Sequence, residues 1–343
     1  MSFGPGRRST SMATAQQTAF TTDVEPHRRE LHVHCYRMLG SFDDSEDLVQ
    51  ETFLRAWRAR DSFANRGPGS LRAWLYRIAT NACLDALTRT PRRVLASQLG
   101  PPHDPTMPPP PPLDVSWLQP YPDRLLEGVA PAEDQPDAAV VRRETIEIAF
   151  MAAIQLLPPR QRAVLILRDV LGWSARETGE LLDASVASVN SALQRARATL
   201  DERSPHAGDE WAPDPSADAE RVVLERYIDA FERGDLRAVA ATLAEDVRGD
   251  MPPHPFWLDG RDANVTAMTP TFDPDSPRYL GEWRAVITGA NLQPAAAFYN
   301  RRPGEAEYEA FALDVLRVRD GRVSVMVAFD ADVFPAFGLP PVL

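Results

Sequence analysis

Nine arginines fall between positions 55 and 93: Arg55, Arg58, Arg60, Arg66, Arg72, Arg77, Arg89, Arg92 and Arg93, opposed there only by Asp61 and Asp85. Guanidinium forks match phosphate oxygens, so this excess suits capture of a polyanion rather than bond making. A second set lies at helical spacing further on: Ser185, Ala187, Ser188, Ser191, Gln194 and Arg195. Small side chains let a backbone approach base edges closely, and the trailing arginines reach phosphates. His32, His34 and Cys35 form the remaining cluster with chemistry. A metal would need a second ligand pair at useful spacing, and none follows, so no metal and no cofactor are expected. Neither arginine set supplies a nucleophile with its base, and no catalytic residue is expected from them.

The elements that must hold these side chains are legible nearby. Gly172 ends an apolar run, where a left-handed residue closes a helix. Ser174 and Glu177 form an S-x-x-E capping box that opens a short helix ending near Leu181 and Leu182. Asp183 and Ala184 make a turn, and Ser185 caps a second helix. Val186, Val189, Leu193, Ala196 and Leu200 recur there at steps of three and four and are expected to be buried. A short helix, a tight turn and a second amphipathic helix make a helix-turn-helix. Gly179 interrupts the first helix and suggests close packing between the two. Upstream, Asp43, Asp44, Glu46 and Asp47 crowd a helix start, where the dipole favours anions. Val49, Phe53, Ala56 and Trp57 are its expected buried stripe. In the next helix Leu71, Leu75, Ile78 and Ala82 face inward, leaving Arg72, Arg77 and Asn81 outside, with Trp74 and Tyr76 nearby. Aromatics among arginines suit unstacked bases.

The chain has 343 residues and 44% hydrophobic content, enough for several cores. Its formal net charge is −12, yet all 37 basic residues are arginine and the surplus acid lies outside the 55–93 block. Distribution, not the total, governs binding of an anion. The start lacks an apolar signal core and no run is apolar enough to span a membrane, so a cytoplasmic location without membrane association is expected. Cys35 and Cys83 are isolated, which argues against a disulfide framework. Prolines divide the rest. The expected organisation is a disordered tail (1–19), a helical domain (20–95), an acidic proline-rich linker (96–138), a helix-turn-helix domain (139–204), a short linker (205–217) and an α+β domain (218–343). The last begins with two helices and continues in alternating strands, with RDGR as a hairpin turn.

The blocks SEDLVQETFLRAW, SLRAWLYRIATNACLDAL and LPPRQRAVLILRDVLGWSARETGELLDASVASVNSALQRAR resemble bacterial sigma factors of the extracytoplasmic-function group. The first two resemble region 2, a helical bundle, and the third resembles region 4, a helix-turn-helix. WLQPYPDRLLE is similar to the linker of a subgroup with an extra C-terminal domain. The resemblance implies that Asp47, Leu48, Gln50, Glu51 and Phe53 dock on the β′ clamp helices of core RNA polymerase. It implies that Arg72, Trp74, Arg77 and Asn81, with the loop from Asn65 to Ser70, read the upstream-melted element of promoter DNA. It gives Ser185, Ala187, Ser188, Ser191, Gln194 and Arg195 to the minus-35 element, with region 4 on the β flap, and threads the linker towards the polymerase active-site channel.

The last block resembles the SnoaL-like and ketosteroid-isomerase superfamily, an α+β cone around a pocket. Tyr227 and Asp314 match the two hydrogen-bond donors of the isomerases' oxyanion hole. The general-base position falls on Met251 by an ungapped count, and Met cannot take a proton. Asp250 is adjacent, but neighbouring strand residues face opposite sides, and a one-residue register slip or a bulge would return it to the pocket. Trp257, Phe298 and Tyr308 are further expected lining, for a small apolar ligand. A non-catalytic sigma factor with a regulatory pocket domain is the leading reading. Two alternatives remain: a ligand-sensing helix-turn-helix regulator independent of polymerase, and an isomerase or cyclase.

Overall fold

A computed structural model describes residues 16–64, 67, 69–126, 145–203 and 217–343. In chain order its helices are α1 (Arg28–Leu39), α2 (Phe42–Ala59), α3 (Ser70–Leu87), α4 (Ile148–Ile154), α5 (Pro159–Leu165), α6 (Ala175–Leu182) and α7 (Val186–Arg203). They continue as α8 (Ala217–Glu232), α9 (Leu236–Thr242), α10 (Arg261–Phe272) and α11 (Phe334–Phe337). The strands are β1 (Leu243–Asp250), β2 (Trp257–Asp259), β3 (Glu282–Ala290), β4 (Gln293–Arg301), β5 (Glu309–Arg319) and β6 (Arg322–Asp330). These elements form two units, one of residues up to Thr90 with Leu157–Glu202, the other of Pro91–Leu156 with Arg203–Leu343.

In the first unit, Gly40 closes α1 at φ 68°, and the Ser41 hydroxyl opens α2 by accepting from the Asp44 amide at 3.2 Å. The acids at this start complement the helix dipole. The core of α1, α2 and α3 joins Leu31, Cys35, Met38, Val49, Leu75 and Ala79. The buried stripe of α2 is Ser45, Val49, Thr52 and Ala56. Phe53 and Trp57, expected in it, are only half-buried: the Arg28 guanidinium covers Phe53 at 5.0 Å, and Trp57 packs edge-on to Phe20 at 5.3 Å. Leu71 and Ile78 of α3 are likewise only half-buried, whereas Tyr76 is fully buried. Residues 16–24 are helical, so part of the expected 1–19 tail is ordered; its first fifteen residues lie outside the described residues.

α5 runs into a π-helical turn, Ile166–Val170, before Gly172 reverses the chain at φ 69°. The capping box is formed: the Ser174 hydroxyl accepts from the Glu177 amide, and the Glu177 carboxylate accepts from the Ser174 amide. Asp183 ends α6 in the left-handed region at φ 48°, and the Ser185 hydroxyl accepts from the Ser188 amide at 3.1 Å. Val189, Leu193, Ala196 and Leu200 bury one side of α7, but Val186 is 47% exposed. Val186 is the first residue of the helix, one turn before the buried row has partners.

The second unit is built on a six-stranded sheet ordered β2-β1-β6-β5-β4-β3. β1 and β6 are parallel and the other pairs antiparallel. The β5–β6 hairpin turns through Asp320 and Gly321, both at positive φ, as RDGR requires. α8 packs across β3, β4 and β5, and its Val223, Leu224, Tyr227 and Phe231 join Trp283, Phe298 and Leu316 in the core. The described linker, with only short 3-10 turns at Ala96–Gln98 and Asp123–Leu125, lies on this unit. So does α4: Gln293 accepts from the Ile148 amide at 2.8 Å, and Glu147 pairs with Arg317 at 2.9 Å with both side chains almost buried.

Candidate functional site

α2 presents Asp47 and Gln50 to solvent, with Leu48, Glu51 and Phe53 half-exposed beside them. Glu51 is tied to Arg55 at 2.7 Å, one turn on, and Arg55 reaches Asp85 of α3 at 2.9 Å. The amphipathic pattern explains this face: small and β-branched residues fill the core side, so the acids and amide have only the outer side.

The α3 set is less free than its spacing suggests. Asn81 is exposed. Arg72 is half-buried: its Nε donates to Glu30 at 2.7 Å, and its guanidinium covers the Tyr76 ring at 4.8 Å. Trp74 packs against Phe63 at 4.9 Å. Arg77 is exposed along its stem, yet its Nη2 donates to both carboxylate oxygens of Asp183 at 3.0 Å, in the turn of the helix-turn-helix. Beside it the rings of Tyr76 and Trp173 lie 5.4 Å apart. Arg162 completes this junction: its buried guanidinium donates to the carbonyl of Met38 at 2.5 Å and to that of Leu157 at 3.2 Å. Burial lowers its pKa to about 10. Sequence reasoning missed Arg162, Trp173 and the partnership of Asp183, because nothing local marks a contact spanning a hundred positions. Part of the Asn65–Ser70 loop lies outside the described residues.

The histidines near the amino end are structural. His34 is buried, its Nε2 is 2.9 Å from the Thr80 hydroxyl, and desolvation drives its pKa down to about 3. His32 is buried against Phe42 and Glu46 and is also depressed by desolvation.

On α7, Ser185, Ala187, Ser188, Ser191, Gln194 and Arg195 are all exposed along one side. Gly179 explains how the motif closes: a Cβ there would sit 2.6 Å from the Ala184 carbonyl oxygen. Only hydrogen lets the turn come that near.

Within the second unit is a cavity of about 380 Å³, inside the usual range for small-molecule sites. Its walls are Phe231, Trp283, Phe298 and other apolar side chains, and Tyr227 and Asp314 lie together among them. The Tyr227 hydroxyl donates to Asp314 at 2.9 Å, with the Met326 sulfur 3.1 Å away. Complete burial raises the Asp314 pKa to about 7, and its bond from Tyr227 only partly opposes that. Burial and the neighbouring carboxyl push the Tyr227 phenol well up. Met251 lines this cavity.

Two expected lining residues do not. Trp257 is directly paired with Asp250 across β1 and β2, whereas Gly249 pairs with Leu258. Cross-strand partners share a face and successive residues alternate. Gly249 and Leu258 therefore meet the cavity, and Trp257 turns to the linker, where its indole donates to the Gly100 carbonyl at 2.8 Å. Asp250 shares that outward face: it is fully buried and accepts from the Ser97 amide at 2.7 Å. Tyr308 lies on the surface beneath Arg301 and donates to Glu282 at 2.9 Å.

Comparison with known proteins agrees with both units. The chain matches Sigma-70 region 2 over residues 24–93, Sigma-70 region 4 over 147–200 and the SnoaL-like domain over 224–326. It is 45% identical over 323 residues to the ECF RNA polymerase sigma factor SigG of Mycobacterium tuberculosis, covering 94% of this chain and 84% of that one. It is 28% identical over 314 residues to SigJ, an ECF RNA polymerase sigma factor of the same species, covering 89% of each. The crystal structure of SigJ shares the fold, with a TM-score of 0.60 and 23% identity over 93% of this chain and the whole of that one. The helical elements, their order and this similarity across nearly the whole length place the chain in the ECF RNA polymerase sigma factor family, with a SnoaL-like domain behind its two sigma regions.

Proposed function

We propose that the outer side of α2, with Asp47, Leu48, Gln50, Glu51 and Phe53, docks on the β′ clamp helices of core RNA polymerase, and that the helix-turn-helix rests on the β flap. Arg72, Trp74, Arg77 and Asn81 then contact the melted promoter strand, and Ser185 to Arg195 read the minus-35 element. Support comes from the exposure of the α2 and α7 sets and from the family. The SnoaL-like unit acts as a regulator and not as a catalyst. Met251, with no basic atom, lies in the cavity where a base would stand, and Asp250 is committed to the linker.

One observation carries the regulatory reading: the described chain after region 2, from Ser97 to Arg124, is bonded along the C-terminal unit. Ser97 is held by Asp250, the His103 amide by the Trp257 carbonyl at 2.8 Å, and the Tyr121 amide by Asn291 at 2.7 Å. Arg124 donates to the Ala336 carbonyl at 2.6 Å. A linker fixed in this way is not at liberty to enter the polymerase channel, so docking and initiation compete. Truncation at Gly208 removes the dock. Pull-down with core polymerase should still succeed, and run-off transcription should change severalfold. Unchanged polymerase affinity and unchanged output would overturn the regulatory reading.

A further inference from the structure

Val186, Asn190 and Gln194 stand at i, i+4 and i+8 on α7 and so form a single row along the helix. All three are exposed, Val186 to 47%. A lone valine in water is ordinary. Here it stands in line with two carboxamides, and neither Asn190 nor Gln194 makes a side-chain hydrogen bond to any described residue. Polar neighbours on α7 are committed elsewhere. The Ser185 hydroxyl caps the helix at the Ser188 amide, and Arg197 donates from Nε and Nη2 to Asp169 at 2.9 and 2.7 Å. The row itself carries no charge, and Ala187 and Ser191 beside it are small enough to let short side chains reach base edges. A carboxamide offers an acceptor and a donor side by side, the complement of the N6 amino group and N7 of adenine in the major groove. Guanine presents two acceptors there and leaves the carboxamide oxygen facing another acceptor. Valine methyl groups suit the C5-methyl of thymine. From Val186 to Gln194 the helix rises about 12 Å, the length of roughly three to four base pairs.

We infer that the minus-35 element carries adenine beneath Asn190 and beneath Gln194 and a thymine methyl beneath Val186, all within roughly four base pairs. The inference rests on the assignment of α7 to the minus-35 element and deepens it. It adds the identity of the bases, and a reading role for Val186 and Asn190 beside that of Gln194.

Holoenzyme assembled from the full chain and core polymerase is presented with promoter DNA randomised across the minus-35 element, and the bound fraction is sequenced. The parent should select adenine at two base pairs and thymine at a third. Asn190→Ala should lose the preference for adenine at one of these pairs, about tenfold, with the others unchanged. Asn190→Arg should replace adenine by guanine at that same pair, since a guanidinium fork fits two acceptors. Gln194→Ala should lose the second adenine, about two base pairs away. Uracil in place of the thymine removes only a methyl group; it should weaken binding by the parent severalfold and leave Val186→Ala unaffected. All three side chains are exposed, so each variant should melt with the parent. An unaltered profile for both carboxamide variants, a base other than adenine where they act, or failure of Asn190→Arg to bring guanine overturns the base assignment while the minus-35 reading stands. Equal binding of thymine and uracil by the parent overturns the part given to Val186. Holoenzyme without base preference anywhere in the element overturns the minus-35 reading itself, and the inference with it.

Discussion

Gly179 shows how much one hydrogen atom decides. Its Cα faces the Ala184 carbonyl so closely that a methyl group would lie 2.6 Å from the oxygen, and that oxygen belongs to backbone that cannot step aside. Gly179→Ala gains helix propensity, worth about 1 kcal/mol, and loses more to the forced opening of the turn. We expect a net loss of roughly 1–3 kcal/mol in the stability of the first unit and weaker minus-35 binding, read by thermal melting and by gel shift. An unchanged melting temperature would contradict this. Asp314 makes a prediction of opposite kind. Its carboxyl titrates at about 7 in the fold against an ordinary value of 3.8. Between those values the native chain keeps a proton that the unfolded chain has lost, so stability of the second unit falls as pH rises from about 4 to about 7 and levels off above. Asp314→Asn should flatten that slope in the urea midpoint; a variant with the parent's slope would remove Asp314 as its origin.

Among the elements, the helix-turn-helix was written most plainly in the sequence, because its signals are local: a capping box, a left-handed glycine and a serine cap act within one turn. The contact of α3 with the turn after α6 had no such signal. The exposed Arg77–Asp183 pair contributes little by itself, on the order of 0–1 kcal/mol. The Tyr76–Trp173 packing and the buried Arg162 supply the rest. Together they hold the turn of the helix-turn-helix, proposed to read the minus-35 element, against a helix proposed to contact the melted strand of the same promoter. Combining Trp173→Ala with Asp183→Ala should open the first unit, raising the radius of gyration in small-angle scattering and amide exchange along α3. Exchange unchanged from the parent would show that Arg162 alone maintains the contact. Arg162→Ala is then the stronger lesion, since it strands the carbonyl of Met38 in the core.

For the molecule as a whole, the main consequence is that chain order and physical grouping differ. The described residues of 91–156, which run from the end of the region 2 match into the start of the region 4 match, group with the C-terminal unit. Even α4, which falls within the region 4 match, takes its partners from the sheet through Gln293 and Arg317. Asp250 is one of the linker's anchors, fully buried with a pKa raised by desolvation. Asp250→Ala removes the acceptor of the Ser97 amide and should release the linker's start, making residues 91–122 more sensitive to protease at neutral pH. Cleavage at the parent's rate would show that the remaining anchors suffice. No helix among the described residues is long and apolar enough to cross a membrane.

By itself the sequence determined the element types, the helix-turn-helix and the exposed side of α7. It also brought Tyr227 and Asp314 together by resemblance, and the structure places them in hydrogen-bond contact. Each depends on short-range spacing or on a motif that survives divergence. The tertiary structure alone decided which side of β1 and β2 each residue serves, and so placed Trp257 and Asp250 on the linker instead of in the cavity. It alone decided that Arg77 is met by Asp183 and that the described part of the linker lies along the C-terminal sheet. Strand alternation gives two faces without naming which is buried, and long-range polar pairing leaves no periodicity to read.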